Sequence, residues 1–121
     1  MVGALFDTNI LIDHLNAIPQ AREEIERFED RAISIITWMD VMVGAKTDLI
    51  EPTRRFLEGF QVIALDDEIA NRAIELRRAH RIKLPDAVIW ATAQTNSRLL
   101  VTRNTKDFPT KDPGIREPYT L

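Results

Sequence analysis

Cysteine is absent from the 121 residues, which removes disulfides, thiolate nucleophiles and Cys-ligated zinc together and is compatible with a reducing cytosol. The two histidines, His14 and His80, have no ligand spacing between them, so a histidine-held zinc site is discounted as well. They are assigned to surface or partner contacts. No Gly-rich phosphate-cradling loop is present, and the residue inventory suggests no Ser-His-Asp or Cys-His arrangement. No uninterrupted apolar run approaches the roughly 20 residues needed to span a bilayer. The opening Met-Val-Gly lacks the basic and apolar regions of a secretion signal. The expectation is a soluble, cytoplasmic protein with no membrane partner. An excess of positive charge is lacking too. Sixteen Lys and Arg against nineteen Asp and Glu leave a net charge of −3, so a nucleic-acid partner must be held by a local basic patch.

What is present is a single domain's worth of apolar residues, 45% of the chain, read as one domain over residues 1–121. The hydrophobic pattern alternates strand with helix. Ala4 to Phe6 reads as a strand and Asn9 to Leu15 as a short helix. Pro19 opens a second helix that ends near Phe28 to Asp30. Ala32 to Ile35 is a second strand, with Thr37 as the expected N-cap of a helix running to Gly44. Glu51 and Pro52 start a helix to Gly59, and Val62 to Leu65 supply a third strand. A long amphipathic helix from Asp67 places Ile69, Ala73 and Leu76 on one face, with Arg72, Arg77, Arg78 and Arg81 largely elsewhere. Leu84-Pro85-Asp86 leads into Ala87 to Ala93, apolar nearly all round as a buried helix is. Leu99 to Val101 is a fourth strand, and Ile115 to Glu117 a short candidate edge strand. Such alternation implies an α/β fold with a mostly parallel sheet covered on both faces.

Ligands in such sheets bind outside the carboxyl ends of the strands. Asp7 follows the first strand, Asp40 lies in the first turns after the second, and Asn104 and Asp107 follow the fourth. Asp86, at a helix N-terminus, can face the same crevice. Each has an ordinary structural alternative: Asp7 as an N-cap, Asp86 as a first-turn acid, Asp40 as an exposed helical carboxylate, Asp107 as a turn former. Their convergence on one edge is what those alternatives leave unexplained. Clustered carboxylates repel unless a cation neutralises them. With oxygen ligands only, that cation is Mg²⁺, with Mn²⁺ as the other candidate. The matching chemistry is metal-assisted hydrolysis of a phosphate ester or diester.

The stretches LFDTNILID, ISIITWMDVMVGA, LPDAVIWATA and LLVTRNTKDF resemble the successive motifs of PIN-domain ribonucleases, in particular VapC-like toxins of type II toxin–antitoxin pairs. The resemblance covers essentially the whole chain in the right order. It implies a PIN-like three-layer α/β/α sandwich with a mostly parallel four- to five-stranded sheet. It further implies a Mg²⁺- or Mn²⁺-dependent endoribonuclease that hydrolyses RNA phosphodiester bonds, silenced by a VapB-like antitoxin and assembled as a homodimer. By motif, Asp7 and Asp86 are the expected metal ligands, with Asp40 as the third; Asp7, Asp40, Asp86 and Asp107 form the catalytic set. Asn9, Thr37, Thr102 and Asn104 supply supporting hydrogen bonds.

Two positions depart from the family pattern. Asp40 stands where relatives usually carry Glu, and its oxygen reaches about 1.5 Å less far, one carbon–carbon bond. Weaker metal binding there and reduced cleavage are expected. Asn104 stands where many relatives have Asp, leaving Asp107 as the nearby carboxylate. Both features favour an alternative, a non-catalytic metal-dependent RNA- or protein-binding regulatory module. Arg81 and Lys83 on one side of the crevice and Arg103 and Lys106 on the other are the candidate RNA-binding residues. Trp38, Met39, Val41, Met42 and Val43 make the helix carrying Asp40 apolar on more than one side, as burial or an antitoxin- or self-binding surface requires.

Overall fold

Residues 2–121 are described in the computed structural model. Five strands, β1 (Ala4–Phe6), β2 (Arg31–Ser34), β3 (Gln61–Ile63), β4 (Leu99–Val101) and β5 (Ile115–Arg116), form one sheet in the order β3-β2-β1-β4-β5. Every pairing is parallel. The helices are α1 (Thr8–Leu15), α2 (Pro19–Glu26), α3 (Ile35–Gly44), α4 (Ile50–Leu57), α5 (Asp67–His80) and α6 (Leu84–Thr95), with a 3-10 turn at Thr47–Leu49 before α4.

Alternation along the strands sorts the core into two layers. Leu5 lies in register with Ala32 on one side and Leu100 on the other. These three face α5 and α6, whose Ile69, Ala73, Leu76 and Trp90 pack against them. Ala4, Phe6, Ile33 and Val101 face the opposite way, onto Ile10 and Leu11 of α1, Ala21 and Ile25 of α2, Val41 of α3 and Leu57 of α4. The architecture is therefore a three-layer α/β/α sandwich. The continuous apolar run of β1 reflects a central strand with no exposed surface. Gly3, at the opposite end of β1 from Asp7, leaves room for two side chains: a Cβ there would stand 2.7 Å from an Arg98 guanidinium nitrogen and 2.8 Å from Asp30, and would displace them. Those two side chains pair at 2.8 Å across the lower end of the sheet.

Several boundaries differ from the sequence reading by a residue or more, and three have a clear physical cause. Ser34, not Thr37, caps α3, its hydroxyl accepting from the Ile36 N–H at 3.1 Å. The β-branched pair Ile35-Ile36 favours strand locally, but the capped first turn takes both into the helix and leaves Thr37 inside it, with no exposed surface. Strand β3 stops at Ile63; its pairing with β2 ends at Ser34↔Ile63, so Ala64 and Leu65 have no strand beside them. Helix α4 starts at Ile50, placing Pro52 in its first turn, where its missing N–H leaves no helical bond unmade. Across Ala87 to Ala93 every residue of α6 is buried, as its all-round apolar pattern demands.

Candidate active site

Parallel strands bring the C-terminal ends of β1, β2 and β4 to one edge, and the acidic side chains are disposed there. Asp7 is the N-cap of α1, its Oδ1 accepting from the Thr8 N–H at 2.8 Å. Its Oδ2 accepts from Thr102 Oγ1 at 2.7 Å and from Asn9 Nδ2 at 3.1 Å. Thr102, fully buried after β4, also accepts from Asn9 Nδ2 at 3.2 Å and from the Asn104 N–H at 2.9 Å. Both donors of the Asn9 amide are thus used, and its carbonyl accepts from the Arg103 N–H at 3.2 Å. Only one orientation of that amide satisfies all three bonds.

Asp7 is 4% exposed. Burial pushes its carboxyl above the usual carboxylate range. The hydrogen bonds from Thr102, Thr8 and Asn9 oppose that push, and the Asp40 carboxylate adds to it. Asp86, half-buried in the first turn of α6, is pushed up to about 6, by burial first and then by the negative charges of Asp7, Asp107 and Asp40. Lys83, just before α6, acts the other way, and no hydrogen bond offsets the rise. Asp86 is thus the carboxyl that feels all three of the other acids.

The third and fourth acids are held differently. Asp40 is exposed on α3, one turn beyond Thr37, whose hydroxyl accepts from Thr8 Oγ1 at 3.2 Å and so ties α3 to the start of α1. Asp107 and Asn104 bond each other twice, Asn104 Nδ2 to Asp107 Oδ2 at 3.0 Å and the Asp107 N–H to Asn104 Oδ1 at 3.2 Å. Beside them Phe108 is buried edge-on against Trp90, with ring centroids 6.0 Å apart, so the loop is anchored on α6 one turn below Asp86. Among the described residues no three acids or histidines are grouped closely enough to hold one ion between them.

Of the basic residues, Arg81, Lys83 and Lys106 are exposed. Arg81, at the left-handed end of α5 (φ 56°), lines a groove of about 510 Å³ with Ile74, Arg77, Arg78 and Leu84. The guanidinium of Arg103 is instead engaged by Asp13, at 2.5 and 2.9 Å. His14 stacks on Phe56 with centroids 4.6 Å apart, while His80 is exposed and leans on Trp90 at 4.8 Å. On α3, Trp38 and Met42 are half-buried, whereas Met39 is 44% and Val43 87% exposed.

Asp13 and Tyr119 escape the sequence reading. Asp13 is buried, 6% exposed, and accepts from both the Arg103 fork and the Tyr119 hydroxyl at 2.8 Å. Its one local sign is a carboxylate four residues after Asn9, on the same side of a short, largely apolar helix.

The PIN domain family model matches residues 4–112. Ribonuclease VapC10 of Mycobacterium tuberculosis strain H37Rv is 33% identical over 125 aligned positions, which cover 97% of this chain and 93% of that one. Among solved structures, a toxin–antitoxin complex from Klebsiella pneumoniae contains a chain 47% identical, with a TM-score of 0.94, covering 98% of this chain and 100% of that one. A DNA-bound VapBC from Salmonella typhimurium matches at 26% identity and a TM-score of 0.76, with 96% of each chain covered.

Proposed function

The chain belongs to the PIN-domain family, and from that premise we propose that it is a metal-dependent endoribonuclease, the toxin of a toxin–antitoxin pair. One observation carries the reading. Among the described residues three carboxylate side chains are buried: Asp7, Asp13 and Glu24. Asp13 is neutralised by Arg103, and Glu24 by Arg116 and Arg27. Asp7 has, among the described residues, only the neutral donors Thr8, Asn9 and Thr102. A buried carboxylate with no counter-charge, close enough to Asp86 to raise that group's pKa, is a place where a cation belongs.

The donors there are oxygens, which suits a hard divalent ion. Mg²⁺ commonly binds through one or two carboxylates and keeps its waters, so Asp7 and Asp86 would hold it, with Asp40 nearby. When bound, such an ion lowers the pKa of a water and stabilises charge on a phosphoryl group. The rest is done by the chain. Thr102 and Asn9 hold Oδ2 of Asp7 and the Thr8 N–H holds Oδ1, so the carboxylate is fixed in one orientation. Asp107, paired with Asn104, adds negative charge at the rim. Asp40, one methylene shorter than Glu, leaves its side of the crevice more open, and slower cleavage follows. Lys83, which lowers the Asp86 pKa, and the exposed Arg81 and Lys106 would meet RNA phosphates. The exposed apolar residues of α3 support an antitoxin- or self-binding surface.

The test is RNA cleavage by the antitoxin-free protein in Mg²⁺ or Mn²⁺, against EDTA and against Asp7→Asn. Asn is as good an N-cap as Asp, so that variant keeps the helix start. Metal-dependent cutting lost in Asp7→Asn is expected. RNA binding without cleavage would support the regulatory module instead.

A further inference from the structure

Arg103 joins two places on α1. Its backbone N–H donates to Asn9 Oδ1, and its guanidinium, through Nε and Nη2, forks onto Asp13 one helical turn further on. Asn9 in turn donates to Asp7 Oδ2 and Thr102 Oγ1. The loop after β4 is therefore stapled to α1 at two points about 6 Å apart along the helix, and one of them is the amide that aims Asp7. The C-terminal segment closes the far side: Tyr119 donates to Asp13 Oδ2 at 2.8 Å, and its ring centroid lies 6.0 Å from the Arg103 guanidinium carbon. Asp13 thus accepts three bonds with almost no exposure.

We infer that Arg103, with Asp13 and Tyr119, is a positioning residue for the Asp7 carboxylate, not an RNA contact. This rests on the nuclease reading for its consequence, but its geometry does not. A partly buried bidentate pair adds little net stability over an apolar replacement. What it adds is geometry: a planar fork fixes the direction of the Arg103 backbone as a lysine ammonium cannot. The Arg103 N–H then holds the Asn9 carbonyl, and the opposite end of that amide stays on Asp7 and Thr102. Residues that support ligands of a metal in this way change affinity or activity by about 10- to 100-fold when replaced. An arginine that contacted phosphate would instead alter RNA binding and its salt dependence, leaving the metal response alone.

Three variants, Arg103→Lys, Asp13→Asn and Tyr119→Phe, test this with three readouts below their melting temperatures. The first needs neither metal nor RNA: hydrogen exchange of the Asn9 side-chain amide, followed by NMR in the metal-free protein. Faster exchange is expected in Arg103→Lys and Asp13→Asn and a smaller effect in Tyr119→Phe. The second is Mn²⁺ affinity by calorimetry, expected to fall about 10-fold or more in Arg103→Lys. The third is cleavage, where kcat should fall while the KM for RNA stays within about threefold. Unchanged Asn9 exchange in a folded Arg103→Lys or Asp13→Asn protein overturns the inference, as does a KM-only effect with wild-type Mn²⁺ affinity. If wild type fails to cut RNA and the Asn9 exchange still rises, the positioning stands and the nuclease reading falls. Tyr119→Phe keeps both charges, so it decides the matter should the other two fail to fold.

Discussion

Replacing Asp86 by Asn should stabilise the metal-free protein at neutral pH. Asp86 is pushed from 3.8 up to about 6, which at 1.36 kcal/mol per pH unit amounts to about 3 kcal/mol against the charged form. The side chain is half-exposed, and solvent screening removes roughly half of that. The α6 dipole favours a first-turn acid by about 0.5 kcal/mol, and Asn forfeits it. The net gain is about 1 kcal/mol, or roughly 4 °C in Tm for a domain of this size. Its pH dependence follows from the sign. A carboxyl raised in the folded state penalises folding above its folded value of about 6, and the penalty lifts as pH falls toward the unfolded 3.8. The advantage of Asp86→Asn should therefore be complete at pH 7.5, shrink to about a third by pH 4.5 and disappear below the unfolded value. Mn²⁺ at ten times its Kd should lift wild type by about 1.4 kcal/mol and the variant much less, closing the gap. Thermal melts of both proteins at several pH values, with and without Mn²⁺, suffice. A less stable variant at pH 7.5, or a difference indifferent to pH, would show that burial and the like charges of Asp7, Asp107 and Asp40 do not govern this carboxyl.

Asp40→Glu lengthens the side chain by one methylene and, on the proposed reading, should raise the cleavage rate by roughly 10-fold, the lower end of what changes around a metal site produce; an unchanged or lower rate removes reach as the explanation. Thr102→Val takes the 2.7 Å hydrogen bond from Asp7 and leaves the Asn9 amide and the Asn104 N–H short of an acceptor, so urea denaturation should record a loss of about 1–3 kcal/mol. A loss below 0.5 kcal/mol, on the order of a single exposed contact, would mean that water replaces the hydroxyl. Arg81→Gln and Lys83→Gln should each lower the dependence of log K on log salt for single-stranded RNA by about 0.7, measured by anisotropy on the Asp7→Asn protein. A slope unchanged in both excludes them as phosphate contacts.

What could be read from the sequence was whatever local chemistry decides. Strand β1 ends where Asp7 interrupts an apolar run, and α6 declares its burial by having no polar face. The start of α3 is hidden in the sequence because Ile35 and Ile36 carry strand propensity, whereas the cap is set by the Ser34 hydroxyl. Strand β3 was drawn too long because Ala64 and Leu65 are apolar, while strand length depends on a partner that stops at Ser34. At the crevice, the parallel-sheet rule places Asp7, Asp40 and Asp107 after strand ends, and the charges of all three reach Asp86. The partners of the basic residues were not readable. Arg103 sits in a polar loop that suits a phosphate contact, and its acceptor, Asp13, lies 90 residues earlier in the chain. Tyr119 is farther still, 106 residues from Asp13. Such pairs exist only once β4 and the C-terminal segment have been laid beside α1.

Asp7 and Asp13 stand six residues apart at the two ends of one short helix, and the fold treats them in opposite ways. Asp13 receives a guanidinium and a phenol, as a buried carboxylate must if its charge is to cost little. Asp7 is as deeply buried and receives only neutral donors. As a helix cap alone it is a poor choice, since Ser or Asn would accept from the Thr8 N–H with no charge to bury and no repulsion from Asp40 and Asp86. Its hydroxyl and amide partners nevertheless fix it in one orientation. A charge that is costly, immobilised and unpaired is what stability alone would remove. Departures from local consistency of this kind belong where a protein has something to bind, and under the proposed reading that something is a cation held by oxygen.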